Sequence, residues 1–355
     1  MRKCAGTATR EAAHVAAAPP ELPSLLRIVV REPLPPGHVL HERYAVRQLL
    51  ARGGMGSIYH AEDLRLPGRQ CAIKEVEHDP GLSEGLRAEA RDQFFREASV
   101  LARLDHPNLP KVSDYFSDLQ RDYLVMDYVP GRDLKTLVDE AAVRGTRLPV
   151  EEVLRWTTQI LDALAYLHGQ DPPVIHRDIK PSNLKLTPAG LIKLVDFGLV
   201  KTMAPDDLTV TVIQGRGTAL YTPLEQYGGD TGHTDPRTDL FSLGATLYHL
   251  FTGHPPADAK ERFLRPEALV PPRQLCPELP PHVEACVLWA LALHPDDRPP
   301  DADRMTEALH PDAADRLLNL PADWRRRWAS AASPDRVLTA LAAGLALLAM
   351  VASLS

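Results

Sequence analysis

The sequence predicts an α+β protein in which a β-rich first part is followed by a larger and mostly helical second part. Short stretches in which apolar and polar residues alternate, as is typical of half-buried strands, occur within residues 44–77 and 105–130. Residues 133–143 and 150–168 instead repeat apolar side chains at helical spacing, and this pattern returns within residues 281–310. With 355 residues, 44% of them hydrophobic, the chain is long enough to bury a sizeable core.

The composition narrows the range of partners and cofactors. The net charge is −7 and no nucleic-acid-binding motif is present, so neither DNA nor RNA is expected as a partner. The four scattered cysteines include no C-x-x-C pair and are too few for a disulfide framework, so we expect reduced thiols. They are Cys4, Cys71, Cys276 and Cys286. His249 and His254 flank a glycine-containing turn and are not expected to bind zinc.

Residues 1–37 are rich in alanine and proline and are predicted to form a flexible tail. Polar and proline residues near the start interrupt any continuous apolar run, which argues against a secretory signal. Alternatively, the apolar residues Leu25–Val30 could add a strand to the domain that follows.

A glycine-rich stretch joins two alternating segments after Tyr44. Glycine has no Cβ, so backbone N–H groups in such a stretch can approach an anion closely, and the stretch is predicted to cover a phosphate. A plain hairpin turn would explain the same pattern, but the position shortly before Lys74 favours the phosphate cover. The residues concerned are Leu50, Ala51, Arg52, Gly53, Gly54, Met55, Gly56, Ser57 and Ile58.

The densest group of chemically active residues lies within residues 174–198. A His-Arg-Asp triplet ends at Asp178, Lys180 and Asn183 follow it, and an Asp-Phe-Gly triplet begins at Asp196. Phosphoryl transfer needs hard oxygen ligands for Mg²⁺, a positive charge for the moving phosphate and a carboxylate for the attacking hydroxyl. Asp196 and Asn183 suit the metal, Lys180 suits the phosphate and Asp178 suits the hydroxyl. Either triplet alone occurs by chance, but both in this order predict a catalytic site.

These motifs resemble the H-R-D-x-K-x-x-N and D-F-G motifs of the eukaryotic-like, or Hanks-type, bacterial serine/threonine protein kinases. The resemblance covers about residues 40–312. It implies a bilobal protein-kinase fold with an N-lobe at residues 38–130 and a C-lobe at residues 131–315. It further implies that ATP binds between the lobes with Mg²⁺, or alternatively Mn²⁺, and that Asp239 braces the catalytic loop.

The resemblance also implies roles around the nucleotide. Ala72 and Lys74 alternate onto one side of a strand, so that Ala72 would lie against adenine while Lys74 reaches the α- and β-phosphates. Glu97, in a helix predicted at residues 83–104, would pair with Lys74. A solvated lysine and a glutamate paired with a neighbouring arginine are the alternatives. Backbone groups of the hinge, Asp127–Val129, would bind adenine, with Met126 behind it.

Three residues depart from the family pattern. Ala51 replaces the first glycine of the loop, Leu224 alters the usual A-P-E motif, and Lys185 stands where an apolar strand residue is usual. We expect the stem of Lys185 to lie on apolar surface with its ammonium group in water. Glu225 retains its expected ion-pair partner, Arg298.

Residues 199–225 are threonine-rich and lack periodicity, as is typical of a segment ordered by phosphorylation. Thr209 and Thr211 are the predicted regulatory phosphosites, with Arg177 as the partner of the phosphate. Thr218 matches the substrate-facing threonine of the family and would bond the catalytic aspartate and lysine.

The C-terminal part is predicted to attach the protein to a membrane. Residues 316–336 form a basic linker, and residues 337–354 are an uncharged run just long enough, at about 1.5 Å per residue, to cross the hydrocarbon core. The arginines before this run favour a single-pass C-terminal anchor in the cell membrane with the kinase domain in the cytoplasm. With only Ser355 after the run, no external sensor domain is expected. An interfacial or a docking helix is the alternative.

The predicted function is ATP-dependent transfer of the γ-phosphate to Ser/Thr hydroxyls of protein substrates. The chain itself is a further expected substrate, phosphorylated in trans, with a dimer as one arrangement. One alternative is a membrane-attached pseudokinase that binds partners without phosphotransfer. The departures from the family pattern at Ala51, Lys185 and Leu224 support this alternative. Another is a small-molecule kinase, which Thr218 disfavours. All six polar residues that the chemistry needs are present, which favours the protein kinase.

Overall fold

The computed structural model of the protein describes residues 32–53, 56–77, 83–118, 121–196, 218–227 and 235–311. The fold lies in residues 34–311. Residues 1–31 of the predicted N-terminal tail, Thr209, Thr211 and the apolar run at residues 337–354 are outside the described residues.

Six antiparallel strands form the sheet of the first lobe. They are β1 Val39–Leu40, β2 Tyr44–Gly53, β3 Gly56–Asp63, β4 Gln70–Glu77, β5 Val112–Asp118 and β6 Arg121–Asp127. The strand order is β1-β2-β3-β4-β6-β5. The predicted strands are therefore present, and β1 is an addition that is too short to give a pattern in the sequence.

Successive side chains of β3 point alternately into the core of this lobe and to the opposite face of the sheet. Buried and partly exposed residues alternate along the whole strand. Tyr59 and Ala61 are buried in a core cluster with Tyr44 and Phe116. Ile58 points the other way and lines a cleft.

Helix α1, Glu84–Leu101, packs against the sheet through one apolar face. The side chain of Ser83 caps its first turn by accepting a hydrogen bond from a backbone N–H at 3.4 Å. Phe94 and Ala98, four residues apart, are fully buried on that face. The helix predicted at residues 83–104 is confirmed, although it begins at Glu84 and ends at Leu101.

The second lobe is helical. Within the described residues it contains α2 Leu134–Val143, α3 Val150–His168, α4 Pro236–Thr252, α5 Ala259–Leu264, α6 Pro272–Leu275, α7 Pro281–Ala290 and α8 Ala302–Ala308. The first lobe and the second lobe together give the predicted bilobal α+β fold.

Helix α4 is the centre of this lobe, because every residue from Thr238 to Thr252 is buried. Asp235 caps its start by accepting a hydrogen bond from the backbone N–H of Arg237 at 2.8 Å. Gly253 ends it with a left-handed φ of 78°, a conformation that glycine adopts without strain.

A small antiparallel sheet carries the loop with the His-Arg-Asp triplet. It consists of β7 Arg132–Asp133, β8 Leu184–Leu186 and β9 Ile192–Leu194. The loop enters from α3 and leaves into β8, and the backbone N–H of Val195 donates to the carbonyl of Asn183 at 2.8 Å. This bond ties the end of the loop to the segment that contains Asp196.

In the part of the chain that the structure describes, no helix is both long enough and apolar enough to cross a membrane. The segment for which a span is predicted, residues 337–354, lies outside that part.

Candidate active site

A cleft of about 540 Å³ lies where the large sheet, the segment after β6 and the His-Arg-Asp loop meet. Its lining residues are Leu50, Ala51, Arg52, Gly53, Gly56, Ser57, Ile58, Ala72, Lys74, Glu75, Met126, Asp127, Tyr128, Val129, Asp133, Asp178, Lys180, Ser182, Asn183, Lys185, Val195, Asp196 and Thr218. Gly54 and Met55 are outside the described residues. Of the predicted catalytic, metal and ATP-binding residues that are described, only Glu97 is not part of this lining.

The glycine loop forms one wall of the cleft, and Gly56 is where it passes closest to the neighbouring strand. Its φ is 135°, and a Cβ at this position would lie 2.0 Å from the carbonyl oxygen of Glu75. No side chain can be accommodated at that distance, so the approach of β3 to β4 requires glycine here. Gly53 has nothing within 4 Å of its own Cβ position. Ala51, which replaces the first glycine of the family pattern, is exposed.

Lys74 on β4 brings the large sheet into contact with the segment after β9. Its ammonium group contacts the carboxylate of Asp196, although the two residues are 122 positions apart in the chain. Glu97 on α1 accepts a hydrogen bond from Gln93 Nε2 at 2.8 Å. The pairing of Lys74 with Glu97 stays a prediction.

The predicted catalytic residues of the His-Arg-Asp loop are hydrogen-bonded to one another. Asp178 Oδ2 accepts from Lys180 Nζ at 2.9 Å and from Asn183 Nδ2 at 2.9 Å. Lys180 Nζ also donates to Thr218 Oγ1 at 3.2 Å, one of the two contacts that the resemblance implied for this threonine. Its bond to Asp178 stays a prediction. These contacts hold a carboxylate, an ammonium group and a hydroxyl at one end of the cleft.

Two non-glycine residues next to these groups adopt left-handed backbone conformations. Arg177 has a φ of 65° and Asp196 has a φ of 63°. Such conformations cost about 1–3 kcal/mol for ordinary residues and cluster at active sites, where surrounding contacts hold them.

Asp239 on α4 holds the backbone of the His-Arg-Asp loop through hydrogen bonds. Its carboxylate accepts hydrogen bonds from the backbone N–H groups of His176 and Arg177, both at 2.8 Å, as predicted. His168 Nε2 lies 3.0 Å from the same carboxylate. Burial alone would raise the pKa of Asp239, but the hydrogen bond and charge of His168, with those of His176, hold its pKa below the ordinary value. The carboxylate is therefore a stable anchor for the loop.

The opposite end of the cleft is mainly apolar. Ala72 and Met126 are Cα partners in β4 and β6, and both line the cleft. The predicted hinge, Asp127–Val129, follows directly. Its Tyr128 ring stacks on the ring of His60 from β3, with 4.2 Å between centroids. A planar apolar group such as a base fits beside Ala72 and Met126, while the ion pairs of Lys74 with Asp196 and of Lys180 with Asp178 lie at the other end.

Lys185, for which the sequence predicts a stem on apolar surface and an ammonium group in water, is half-buried and lines the cleft. Its Nζ lies 5.8 Å from the centre of the Tyr128 ring. Burial lowers the pKa of Lys185, and the nearby carboxylate of Asp133 opposes this in part. Its apolar surroundings therefore disfavour the charged form of a residue that the sequence placed at a solvent boundary.

The predicted ion pair between Glu225 and Arg298 is present and bidentate, with N–O distances of 2.6 and 3.0 Å. The Arg298 side chain has no exposed surface and also donates to the backbone carbonyls of Ala292 and Leu293. The replacement of proline by Leu224 beside this glutamate leaves the pair intact.

The chemistry of two groups in the cleft fits a divalent metal. Asn183 uses its amide nitrogen for Asp178, which leaves the amide oxygen for a cation, and Asp196 offers a carboxylate. Among the described residues no group of three or more His, Cys, Asp or Glu side chains could hold a metal by itself. Two oxygen donors suffice where phosphate oxygens and water complete the shell, as is usual for Mg²⁺ bound with a nucleotide.

A two-lobed fold with these side chains in its cleft is the architecture of a protein kinase domain. Residues 44–287 match the family model described as the protein kinase domain. A probable serine/threonine-protein kinase of Streptomyces coelicolor is 38% identical over 74% of this chain and 39% of its own length. The S. coelicolor serine/threonine-protein kinase PksC is 35% identical over 75% of this chain and 48% of its own length.

The solved structure of PpkA-294 in its apo form is also similar. It covers 78% of this chain with 27% sequence identity and a TM-score of 0.64. The chain belongs to the protein kinase family, and its resemblance to the bacterial serine/threonine kinases is confirmed. It spans less than half the length of the two S. coelicolor relatives.

Sequence reasoning missed several polar contributors to the site, of which Glu75 lines the cleft beside Lys74. His168 contacts Asp239 from the end of α3, and its only signal was a histidine in the last turn of an amphipathic helix. Asp133 lines the cleft and also caps α2, a pattern that indicates a helix start rather than a binding site. Ser182 lies inside the loop motif, at a position for which that motif specifies no residue.

Proposed function

We propose that this protein transfers the γ-phosphate of ATP to serine or threonine hydroxyls of proteins. The observation that carries the proposal is the position of Lys180 Nζ, 2.9 Å from Asp178 and 3.2 Å from Thr218. A carboxylate for the hydroxyl proton and a cation for the phosphate are thereby adjacent in a cleft that is large enough for a nucleotide.

In this reaction the acceptor oxygen bonds to the γ-phosphorus as the bond to the bridging oxygen of the departing ADP breaks. Asp178 orients the acceptor hydroxyl and accepts its proton. Lys180 stabilises the charge on the phosphoryl oxygens, and Lys74 binds the α- and β-phosphates. A bound Mg²⁺ or Mn²⁺, held by Asn183 and Asp196, supplies charge neutralisation for the phosphates. Asp239 acts indirectly, by fixing the loop that presents Asp178.

A direct test incubates the full chain in detergent with γ-labelled ATP, Mg²⁺ and a general protein acceptor such as casein. We expect label on the acceptor with the wild type, and a loss of at least about 100-fold with Asp178→Asn or Lys74→Met. Chelation of the divalent metal should abolish the same signal. Equal label with wild type and Asp178→Asn would contradict the proposal.

The same assay separates the alternatives. Nucleotide binding without label on any acceptor would favour a pseudokinase that recruits partners. Label on an aminoglycoside but not on casein would favour a small-molecule kinase. The hydrogen bond between Lys180 and Thr218 supports a protein acceptor, because the family places this threonine beside a serine or threonine substrate.

We further propose regulation by autophosphorylation, in trans within a transient dimer, at Thr209 or Thr211. Arg177, adjacent to Asp178, would bind the new phosphate. Phosphopeptide mapping of active enzyme tests this proposal, and an active enzyme in which neither threonine carries phosphate would contradict it.

The composition of residues 337–354 supports attachment to the cell membrane, with the kinase domain on the cytoplasmic side. On this proposal the full chain sediments with membranes and resists extraction by high salt and carbonate. Release of the chain by salt alone would overturn the anchor.

A further inference from the structure

The chain that precedes β1 is bonded to the large sheet of the first lobe. The backbone N–H of Gly37 donates to the carbonyl of Val46 at 2.8 Å, and the N–H of Val46 donates to the carbonyl of His38 at 2.9 Å. Leu34 packs against the core cluster that contains Tyr59. The backbone N–H of Leu34 also donates to Tyr59 Oη at 3.1 Å, so this part of the chain is in contact with a side chain of β3.

Tyr59 connects this chain to a buried carboxylate on β4. Its hydroxyl donates to Glu75 Oε2 at 2.7 Å, and the other carboxylate oxygen of Glu75 is ion-paired with Arg121 of β6. Tyr59 is 0% exposed and Glu75 is 1% exposed. Burial raises the pKa of Tyr59, so its hydroxyl keeps its proton and remains a donor. A buried carboxylate depends on such partners, and the loss of one of them should shift the strand that carries it.

Glu75 directly follows Lys74, the residue for which we propose a bond to the α- and β-phosphates. The backbone at this point of β4 is closely packed, because a Cβ at Gly56 would lie 2.0 Å from the carbonyl oxygen of Glu75. The glycine loop thus confines the backbone of Glu75, and Tyr59 and Arg121 hold its side chain. Since Lys74 and Glu75 share a peptide bond, the contacts that fix Glu75 also fix the direction in which Lys74 leaves the strand.

We propose that Tyr59 is a positioning residue, which links the chain before β1 to Glu75 and thereby holds Lys74 in place for the phosphates of the nucleotide. The inference rests on the proposed use of ATP and adds that the chain around Leu34 contributes to ATP affinity through Tyr59. Adenosine has no phosphate for Lys74 to bind, so the contribution should be confined to ligands that carry phosphates.

The test measures binding of adenosine and ATP to the full chain in detergent by titration calorimetry. Tyr59→Phe removes the hydroxyl and keeps the ring, so we expect ATP binding to weaken about 3- to 10-fold and adenosine binding to stay unchanged. Tyr44→Phe is the matched control. Tyr44 lies in the same core cluster and donates to a carboxylate at the same distance, 2.7 Å, but this carboxylate is Asp114 on β5. Tyr44→Phe should lose similar thermal stability and keep its ATP affinity.

A double-mutant cycle shows whether the effect passes through Lys74. In the Lys74→Met background, where ATP binding is already weaker, Tyr59→Phe should weaken it no further. The same loss in both backgrounds would mean that the hydroxyl acts on the first lobe in general, and would overturn the positioning role.

Leu34→Pro and Leu34→Ala test the outer part of the link. Both remove the leucine side chain, but only proline removes the N–H that bonds to Tyr59, in a stretch that already has Pro33 and Pro35 on either side. We expect Leu34→Pro to weaken ATP at least about twofold and Leu34→Ala to keep most of the affinity. Equal ATP affinities for the two variants would remove the chain before β1 from the link.

Other results contradict the inference without touching the proposed kinase activity. Unchanged ATP binding in Tyr59→Phe, or equal weakening of ATP and adenosine, would show that Tyr59 supports the fold and does not position Lys74. Failure of the wild type to bind ATP would instead remove the proposed function. Thermal unfolding without ligand checks each variant, and Leu34→Pro takes the place of Tyr59→Phe in the cycle if the latter does not fold.

Discussion

Asp239 is a fully buried carboxylate whose partners are mostly backbone N–H groups of a functional loop. Its folded-state pKa is lowered, so the charged form stabilises the fold. That stabilisation is present above the unfolded pKa of about 3.9 and is lost as pH falls through the lower folded pKa.

The variant Asp239→Asn should therefore be less stable than the wild type by about 1–3 kcal/mol at neutral pH, because it loses hydrogen bonds to a charged acceptor. The difference should shrink only below about pH 4. Chemical unfolding at several pH values measures it. The matched control is Asp162→Asn, which removes an exposed carboxylate next to His106 and should have little effect. If the difference in unfolding free energy between wild type and Asp239→Asn already shrinks near neutral pH, Asp239 is not the charged anchor described above.

Among individual residues, the sequence predicted best the site residues that lie close together in the chain. Asp178, Lys180 and Asn183 lie within one short loop, so their spacing alone predicted their proximity. The contact between Lys74 and Asp196 depends on the packing of the first lobe against the second. No local sequence pattern predicts it, and only the resemblance to the kinase family placed both residues in one site. Lys185 was recognised as unusual, but its environment depends on Tyr128 and on tertiary packing.

Among the elements, the β2–β3 hairpin shows how one glycine constrains two strands. Gly56 combines a left-handed φ of 135° with a 2.0 Å distance from its Cβ position to a backbone oxygen of β4. Gly56→Ala should therefore strain the loop and separate the strands, lowering stability by about 1–3 kcal/mol and weakening ATP binding.

Gly53→Ala is the matched control in the same hairpin, because nothing lies within 4 Å of its Cβ position. We expect its thermal midpoint to stay close to that of the wild type. Thermal unfolding of both variants, with and without ATP, measures the difference. Equal midpoints for the two variants would mean that β4 adjusts to the extra methyl group.

Element prediction succeeded where periodicity extends over several turns, as in α1 and α3. It missed α5 and α6, whose ranges Ala259–Leu264 and Pro272–Leu275 are too short for a helical period to appear. Both lie in a stretch with many prolines, which include Pro255, Pro256, Pro271 and Pro272. Their helical state depends on packing in the second lobe rather than on local pattern.

At the scale of the whole molecule, a continuous core joins the lobes. One cluster of buried residues includes Val76 and Phe94 of the first lobe together with Leu164 and Phe251 of the second. Because apolar burial is shared in this way, we expect the described lobes to unfold as one cooperative unit. Buried thiols provide a probe, since burial raises the pKa of Cys71 to about 11 and that of Cys286 to about 12.

Glu225→Ala tests this cooperativity, because it leaves the fully buried guanidinium of Arg298 without its carboxylate. We expect a loss of about 3–5 kcal/mol. Pulsed thiol labelling with mass spectrometry should show Cys71 and Cys286 reacting at equal rates, raised together in the variant, although Cys71 is in the other lobe. Glu307→Ala, which removes the exposed partner of Arg304, should change neither rate appreciably. Faster labelling of Cys286 alone would mean that the helical lobe opens separately, and the shared core would then not couple the lobes.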